Sequence, residues 1–219
     1  MKVSAILSFA SLAAALPSLR TSSTNSNAPF VVTAARSGSP IHYLPLTASG
    51  GHFWLGSKSQ TYCPSSVGSS CHQQNDTIIH GGNFLDVIVP GGQEIYVDGT
   101  GALSFTQPHS AYMPGSVTGQ FKYSPSQSIG TWTFSGQGAS GFMACPVPQG
   151  PSSSSATPSA TASPSATATP SSAARPQWQV YAALQNATVP SGKVSDCLGF
   201  VALAVPANVT SNQLAWEYI

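Results

Sequence analysis

The side chains best suited to acid–base or metal chemistry are few: six carboxylates, five histidines and four cysteines in 219 residues. Hydrolysis of a glycosidic bond, which carboxyl groups alone can run, needs two of them held at a defined separation across a cleft. The acids available are Asp76, Asp86, Glu94, Asp98, Asp196 and Glu217. Asp76 lies inside the triplet Asn75-Asp76-Thr77, Asp98 opens the turn Asp98-Gly99-Thr100-Gly101, and Glu94 falls on the polar side of an alternating run. Asp86, among apolar neighbours, is the one unusual carboxylate and reads as an edge or hydrogen-bonded strand residue. The pool is thin for a hydrolase, and the sequence predicts a protein that is not an enzyme and has no catalytic residues.

The histidines are His42, His52, His72, His80 and His109. None stands in the HxH or HExxH spacing that turns two imidazoles toward one ion, so no metal and no cofactor are expected. His109-Ser110 places a base beside a hydroxyl, but neighbours on a strand point to opposite faces. No GxSxG nucleophile elbow occurs. Gly136-Gln137-Gly138-Ala139-Ser140-Gly141 matches GxGxxG literally. A dinucleotide site would need a helix after it inside a βαβ unit. The short run Phe142-Met143-Ala144-Cys145-Pro146 follows instead, so the glycines predict a β-turn.

The remaining reactive groups are structural. Met1-Lys2 followed by the apolar run Ile6 to Leu16, with Ala13-Ala14-Ala15 as a cleavage site, reads as a secretory signal peptide over residues 1–17. It is too short to span a bilayer, and no membrane anchor is expected. In an oxidising pathway Cys63, Cys71, Cys145 and Cys197 predict two disulfides, for which three pairings exist. Cys63 and Cys71 bracket a short polar loop and pair most simply with each other, leaving Cys145 for Cys197. Asn75-Asp76-Thr77, Asn186-Ala187-Thr188 and Asn208-Val209-Thr210 are N-glycosylation acceptors. With six acidic and seven basic residues the chain has no basic stripe for nucleic acid and no polybasic patch for anionic lipid. Attached sugar is the expected source of solubility.

Residues 151–174 contain only Ser, Thr, Pro and Ala, with Pro158, Pro164 and Pro170 recurring every sixth position. Such a run has nothing to bury, and its prolines block helix and sheet alike. Residues 147–175 are therefore expected to be a disordered, O-glycosylated insertion. Three cysteines precede it and one follows, so complete pairing sends one bridge across it. Residues 28–146 and 176–219 are expected to form one domain around it.

The apolar period that must position all these groups is two. Leu85, Val87 and Val89 alternate with Phe84, Asp86 and Ile88; after Pro90-Gly91-Gly92, Ile95 and Val97 alternate with Glu94, Tyr96 and Asp98. Leu103 and Phe105, Trp132 and Phe134, and Trp178 and Val180 continue the pattern, and 30–36, 41–47, 52–56 and 197–205 are further strand candidates. Short alternating runs broken by Gly, Pro and Asp predict an all-β, antiparallel β-sandwich-like domain, with a β-barrel or β-trefoil as the alternative. Tyr43, Trp54, Tyr62, Tyr96, Tyr112, Tyr123 and Trp132 could stack on sugar rings, although most are expected to fill the core.

Several strings, in this order, resemble the PhiA-type cell-wall proteins of filamentous fungi. They are Ser39-Pro40-Ile41-His42, Phe53-Trp54-Leu55-Gly56, the run from Asp86 to Val97, Gly101 to Thr106, His109 to Pro114, Gly141 to Pro146, Trp178 to Leu184, and Cys197-Leu198-Gly199-Phe200. The resemblance covers most of the chain outside the Ser/Thr/Pro run, which is longer here than in the family. It implies a secreted, wall-associated protein linked to phialide development and spore formation, in a family that includes IgE-binding allergens. It carries over no catalytic residue. The resulting expectation is a non-enzymatic glycoprotein of the extracellular space and cell wall, partnered by wall polysaccharide or other wall proteins. A lectin-like module for wall glucan or chitin is the alternative, and a glycoside hydrolase the third reading.

Overall fold

The computed structural model describes residues 25–71, 75–115, 117–148, 176–209 and 214–219. The expected signal peptide (1–17) and nearly all of the Ser/Thr/Pro insertion (149–175) lie outside the described residues. Among those described there is no α-helix, only strands and short 3₁₀ turns. The strands are β1 (Pro29–Ala35), β2 (Leu46–Ser49), β3 (His52–Leu55), β4 (Thr61–Tyr62), β5 (Ile78–His80), β6 (Phe84–Leu85) and β7 (Gln93–Val97). They continue with β8 (Leu103–Phe105), β9 (Phe121–Ser124), β10 (Gly130–Phe134), β11 (Phe142–Pro146), β12 (Trp178–Ala182), β13 (Leu198–Pro206) and β14 (Glu217–Tyr218).

Alternation decides which face each strand buries. In β1, Phe30, Val32 and Ala34 are buried while Val31, Thr33 and Ala35 stay half-buried, the two-residue period of a sheet with one face on the core. One sheet contains β9, β10, β13, β1, β5 and β6; the other contains β8, β3, β12 and β11, with β2 added to β3. Strands β7 and β13 pair into both, and the β1–β13 pairing closes the circuit. The result is a sandwich whose two sheets share a strand at each seam, so the expected sandwich contains the closure of the barrel alternative. β13 makes its seam by length. Leu198–Phe200 pair with β11, and beyond them Val201–Pro206 pair with β1.

The inner faces share one core. It includes Phe30, Phe53, Leu55, Ile95, Leu103, Trp132, Phe134, Phe142, Val180 and Tyr218. Trp132, Phe121 and Phe142 pack ring on ring at centroid distances of 4.7–6.5 Å, and the Trp132 indole N–H donates to Gly82 O at 3.0 Å. Gly130 lets β9 turn tightly into β10: a Cβ there would run into the Ser124 carbonyl and, at 3.1 Å, the Pro125 Cα.

Two of the expected strands are displaced or cut short. Strand β2 starts at Leu46 rather than at residue 41, because Ser39–Leu44 form tight turns in which Tyr43 takes φ +63°. The run from Phe84 to Val89 is a strand only to Leu85. Asp86 N then donates to Ile78 O at 2.9 Å, and Val87 forms a parallel bridge with Ala215.

Strands β11 and β12 are direct antiparallel neighbours, with Pro146 opposite Trp178 and Val147 N donating to Gln177 O at 3.1 Å. The whole Ser/Thr/Pro run therefore joins two paired strands in the manner of a hairpin loop. Loop-closure entropy rises only by about 0.6 kcal/mol per doubling of length, so its size matters little to the ladder at its base.

Candidate functional site

The side chains with the most chemistry gather on the outward face of the β8–β3–β12 sheet. Phe53 and Leu55 point inward and are fully buried, so His52 and Trp54 point outward. Register then sets their neighbours. Tyr96, Ser104, His52 and Ser49 stand in one row across β7, β8, β3 and β2; Thr47, Trp54, Gln179 and Cys145 stand in another across β2, β3, β12 and β11. A third row takes Ala102, Tyr181 and Met143.

Within the first row, His52 Nδ1 lies 3.0 Å from Ser104 Oγ, which donates to Asp98 Oδ2 at 3.2 Å. A histidine, a serine and an acid in contact invite comparison with a hydrolytic triad, where the imidazole stands between the acid and the hydroxyl. Here the serine stands in the middle, is 1% exposed, and aims its proton at the carboxylate. The other oxygen, Asp98 Oδ1, accepts from Thr100 N, Thr100 Oγ1 and Ala102 N at 2.6–3.1 Å. Asp98 thus caps its own turn and fixes the strand after it. This chain of hydrogen bonds is a brace with no free nucleophile.

Two wider features adjoin these rows. Continuing past Trp54, a groove of about 630 Å³ is lined by Leu44, Pro45, Ser49, Ser57, Lys58, Gln60 and Gln177, together with Gly56. The Trp54 indole N–H donates at 2.8 Å to the carbonyl of Ser49, a lining residue. Tyr43, directly before Leu44, is 68% exposed and stacks on His42 at 3.8 Å. A bulky residue at positive φ is an outlier that its surroundings must hold in place. The Tyr43 N–H donates to Ala34 O at 2.8 Å and supplies part of that hold.

Of the seven aromatic residues singled out above, Tyr96, Tyr123 and Trp132 are buried. Tyr43, Tyr62 and Tyr112 are exposed, and Trp54 is half-buried. Burial in the Tyr96 row is a correction to the alternation, which put that ring on the polar side. The Val117 segment pairs with Val97 next to it. Desolvation holds the Tyr96, Tyr123 and Tyr218 hydroxyls above the usual phenol range. It pushes Tyr181 up to about 12, with the nearby Asp98 charge acting in the same direction.

The acids do not assemble into a pair on this face. Asp86 is half-buried; desolvation raises its pKa and the charge of His80 partly offsets this. Among the described residues no cluster of three or more His, Cys, Asp or Glu could hold a metal; His72 lies outside them. His109-Ser110 sits in a turn, not on the strand assumed above, and Ser110 Oγ accepts from Tyr112 N at 3.1 Å. The GxGxxG run forms a 3₁₀ turn and leads into β11.

Both disulfides are present, Cys63–Cys71 and Cys145–Cys197. The second anchors the loop after β12 over a small cluster of Ala102, Met143, Cys145, Tyr181 and Val189. Asn75, Asn186 and Asn208 are exposed, whereas the hydroxyl of Thr77 is buried between Ala48 N and Ser59 Oγ, 2.7 Å from each.

The most consequential polar residues were not singled out by sequence reasoning. Gln93 is fully buried; its amide donates to Thr106 O and Tyr218 O and accepts from Tyr218 N, at 2.8–3.0 Å. The Tyr218 hydroxyl accepts from Ile78 N at 3.0 Å and donates to Asp76 O at 3.1 Å. Strand β14 pairs with β4, and Ile219 bonds Gly50 and Gln60. The final residues are thus a clasp across the sandwich. Only the apolar run around Ala215 and Tyr218 hints at it in sequence.

These features define a disulfide-bridged antiparallel β protein that offers a polar, aromatic outer face. The family model for PhiA-like secreted proteins matches residues 30–155. A protein of Arthroderma benhamiae, described as an uncharacterized secreted protein, is 40% identical over 190 residues, covering 85% of this chain and 84% of its own. The chain belongs to the PhiA-like secreted protein family. No solved structure matches it.

Proposed function

We propose that this protein is a non-enzymatic glycoprotein of the fungal cell wall, contributing to wall structure and to formation of phialides and asexual spores. One observation carries the non-enzymatic part. The best-assembled reactive group, Asp98–Ser104–His52, holds a buried serine between two half-buried partners, donating to a carboxylate already engaged by three other donors. Family membership supports secretion and a fungal setting. Exposure of Asn75, Asn186 and Asn208 supports N-glycosylation there, and the composition of the Ser/Thr/Pro run supports O-glycans that space the folded part from its surroundings.

The test is removal of the gene from the source fungus, together with fractionation of the wild-type protein. The expected result is protein retained in washed cell walls, altered wall composition and fewer spores in the deletion strain. Protein found only in the medium, with wall composition and sporulation unchanged, overturns the reading.

A further inference from the structure

We infer that the Asn75 acceptor is gated by folding: it takes its N-glycan only before Thr77 is buried and the C-terminal clasp closes, whereas Asn186 stays open in the finished fold. This rests on, and deepens, the reading of the protein as a glycoprotein.

The acceptor triplet demands Ser or Thr in its third place, so the glycosyl transferase must reach that hydroxyl as well as the asparagine amide. Asn75 itself is exposed. Thr77, two residues on, is 2% exposed, and its hydroxyl is engaged from two sides. It accepts from Ala48 N and shares a proton with Ser59 Oγ, 2.7 Å from each. Ala48 belongs to β2 and is fully buried. The backbone of the triplet is held as well. Asp76 O accepts from the Tyr218 hydroxyl at 3.1 Å, and that hydroxyl accepts from Ile78 N at 3.0 Å. Presenting Thr77 to an enzyme therefore means breaking these bonds and lifting the start of β5 off the core. The free energy of such a local opening sets the fraction of molecules the enzyme can use. A glycan already on Asn75 is tolerated, because that side chain is exposed. The fold admits the product and excludes the enzyme.

Synthesis leaves time for the reaction. Tyr218 lies 142 residues after Asp76. At roughly 5–20 residues per second, the triplet precedes its clasp by at least about 7 s. In that interval a bond forms from Asn75 Nδ2 to C1 of the first sugar, and the bond from C1 to the diphosphate oxygen of a lipid-linked oligosaccharide breaks. The lipid diphosphate leaves with the bonding electrons, and the amide gives up one proton. The triplet Asn186-Ala187-Thr188 differs, because Asn186 and Thr188 are both exposed in the loop after β12. Thr210, which completes the remaining triplet, lies outside the described residues.

The test uses the full secreted chain made in a host that forms disulfides but attaches no N-glycans. It is taken folded, and separately reduced and alkylated, with the second sample shown to be unfolded by circular dichroism. Each is given a lipid diphosphate oligosaccharide and a purified single-subunit oligosaccharyltransferase, and occupancy of every asparagine is followed by peptide mass spectrometry. Folding should slow modification of Asn75 about a hundredfold or more, and that of Asn186 far less. Tyr218→Phe keeps the ring but releases Asp76 O and Ile78 N. In the folded state it should speed modification of Asn75 about tenfold and leave Asn186 unchanged. Three outcomes overturn the gate alone: no effect of folding on Asn75, equal slowing of Asn75 and Asn186, or the same Asn75 rate in Tyr218→Phe and wild type. Protein purified from the source fungus with Asn75, Asn186 and Asn208 all bare overturns the glycoprotein reading, and the gate with it.

Discussion

At the β11 end of the molecule a covalent bond joins Cys145 to Cys197, 52 residues apart. At the C-terminal end Tyr218 reaches Gln93 and Ile78, 125 and 140 residues away, through burial and hydrogen bonds alone. The difference follows from what each region has to pack with. The loop that Cys197 anchors covers a cluster of five buried residues, too small to hold it by apolar contact. The clasp inserts Tyr218 and Ala215, both fully buried, into the main core, and its backbone meets partners on both sides. Covalent fastening is used where the core is thin, and packing where it is thick.

The sharpest way to break this contrast is Tyr218→Ala. Truncating a buried aromatic residue costs about 3–5 kcal/mol, and here Ile78 N–H and Asp76 C=O are also left without their partner. That is a large part of the stability of a typical domain, so a thermal melt should show a largely unfolded protein. Tyr218→Phe, which removes only the hydroxyl, should cost about 1–2 kcal/mol. Equal melting of Tyr218→Phe and wild type would show that the hydroxyl bonds do not fasten the clasp.

The two bridges supply the next test. Chain entropy assigns the Cys145–Cys197 crosslink roughly 4 kcal/mol and the Cys63–Cys71 crosslink about 2.6 kcal/mol. Paired Cys→Ser variants, compared by denaturant midpoint, should fall in that order; the reverse order would mean that the thin cluster holds its loop without help. Gln93→Leu comes third. It leaves Tyr218 N–H, Tyr218 C=O and Thr106 C=O without their amide partner, at about 1–3 kcal/mol, measurable by the same denaturation.

The mildest perturbation is alkali. Tyr181 is pushed up to about 12, and Tyr96, Tyr123 and Tyr218 are also raised, from an ordinary value of 10.0. The neutral phenol is the form the fold prefers, so above the unfolded pKa the unfolded chain binds fewer protons than the native one. Stability should be intact below pH 10 and fall as pH rises toward 12. Phenolate absorbance should show these four residues ionising together with loss of the fold; ionisation well before unfolding would count against their burial.

Much of the fold was legible where local pattern and long-range structure agree. The alternation in 30–36, 52–56 and 197–205 gave β1, β3 and β13 to within a residue or so, because each has one face on the core and one outside. Strand β11 was missed as a strand: Phe142 to Cys145 are buried on both faces, which erases the period. The neighbours His52 and Ser104 were individually visible, but their contact depends on register, and register is not a local property. Gln93 reads as a polar surface residue until the segment that buries it arrives 125 positions later. The groove likewise draws Leu44, Lys58 and Gln177 from three separated stretches, a conjunction that no motif records.

Cys145 stands just before the Ser/Thr/Pro run and Cys197 well after it. A protease that cuts anywhere within the run therefore produces two fragments that remain one molecule. They separate on a denaturing gel only after a reducing agent is added, and under native conditions the nicked protein keeps its β11–β12 ladder.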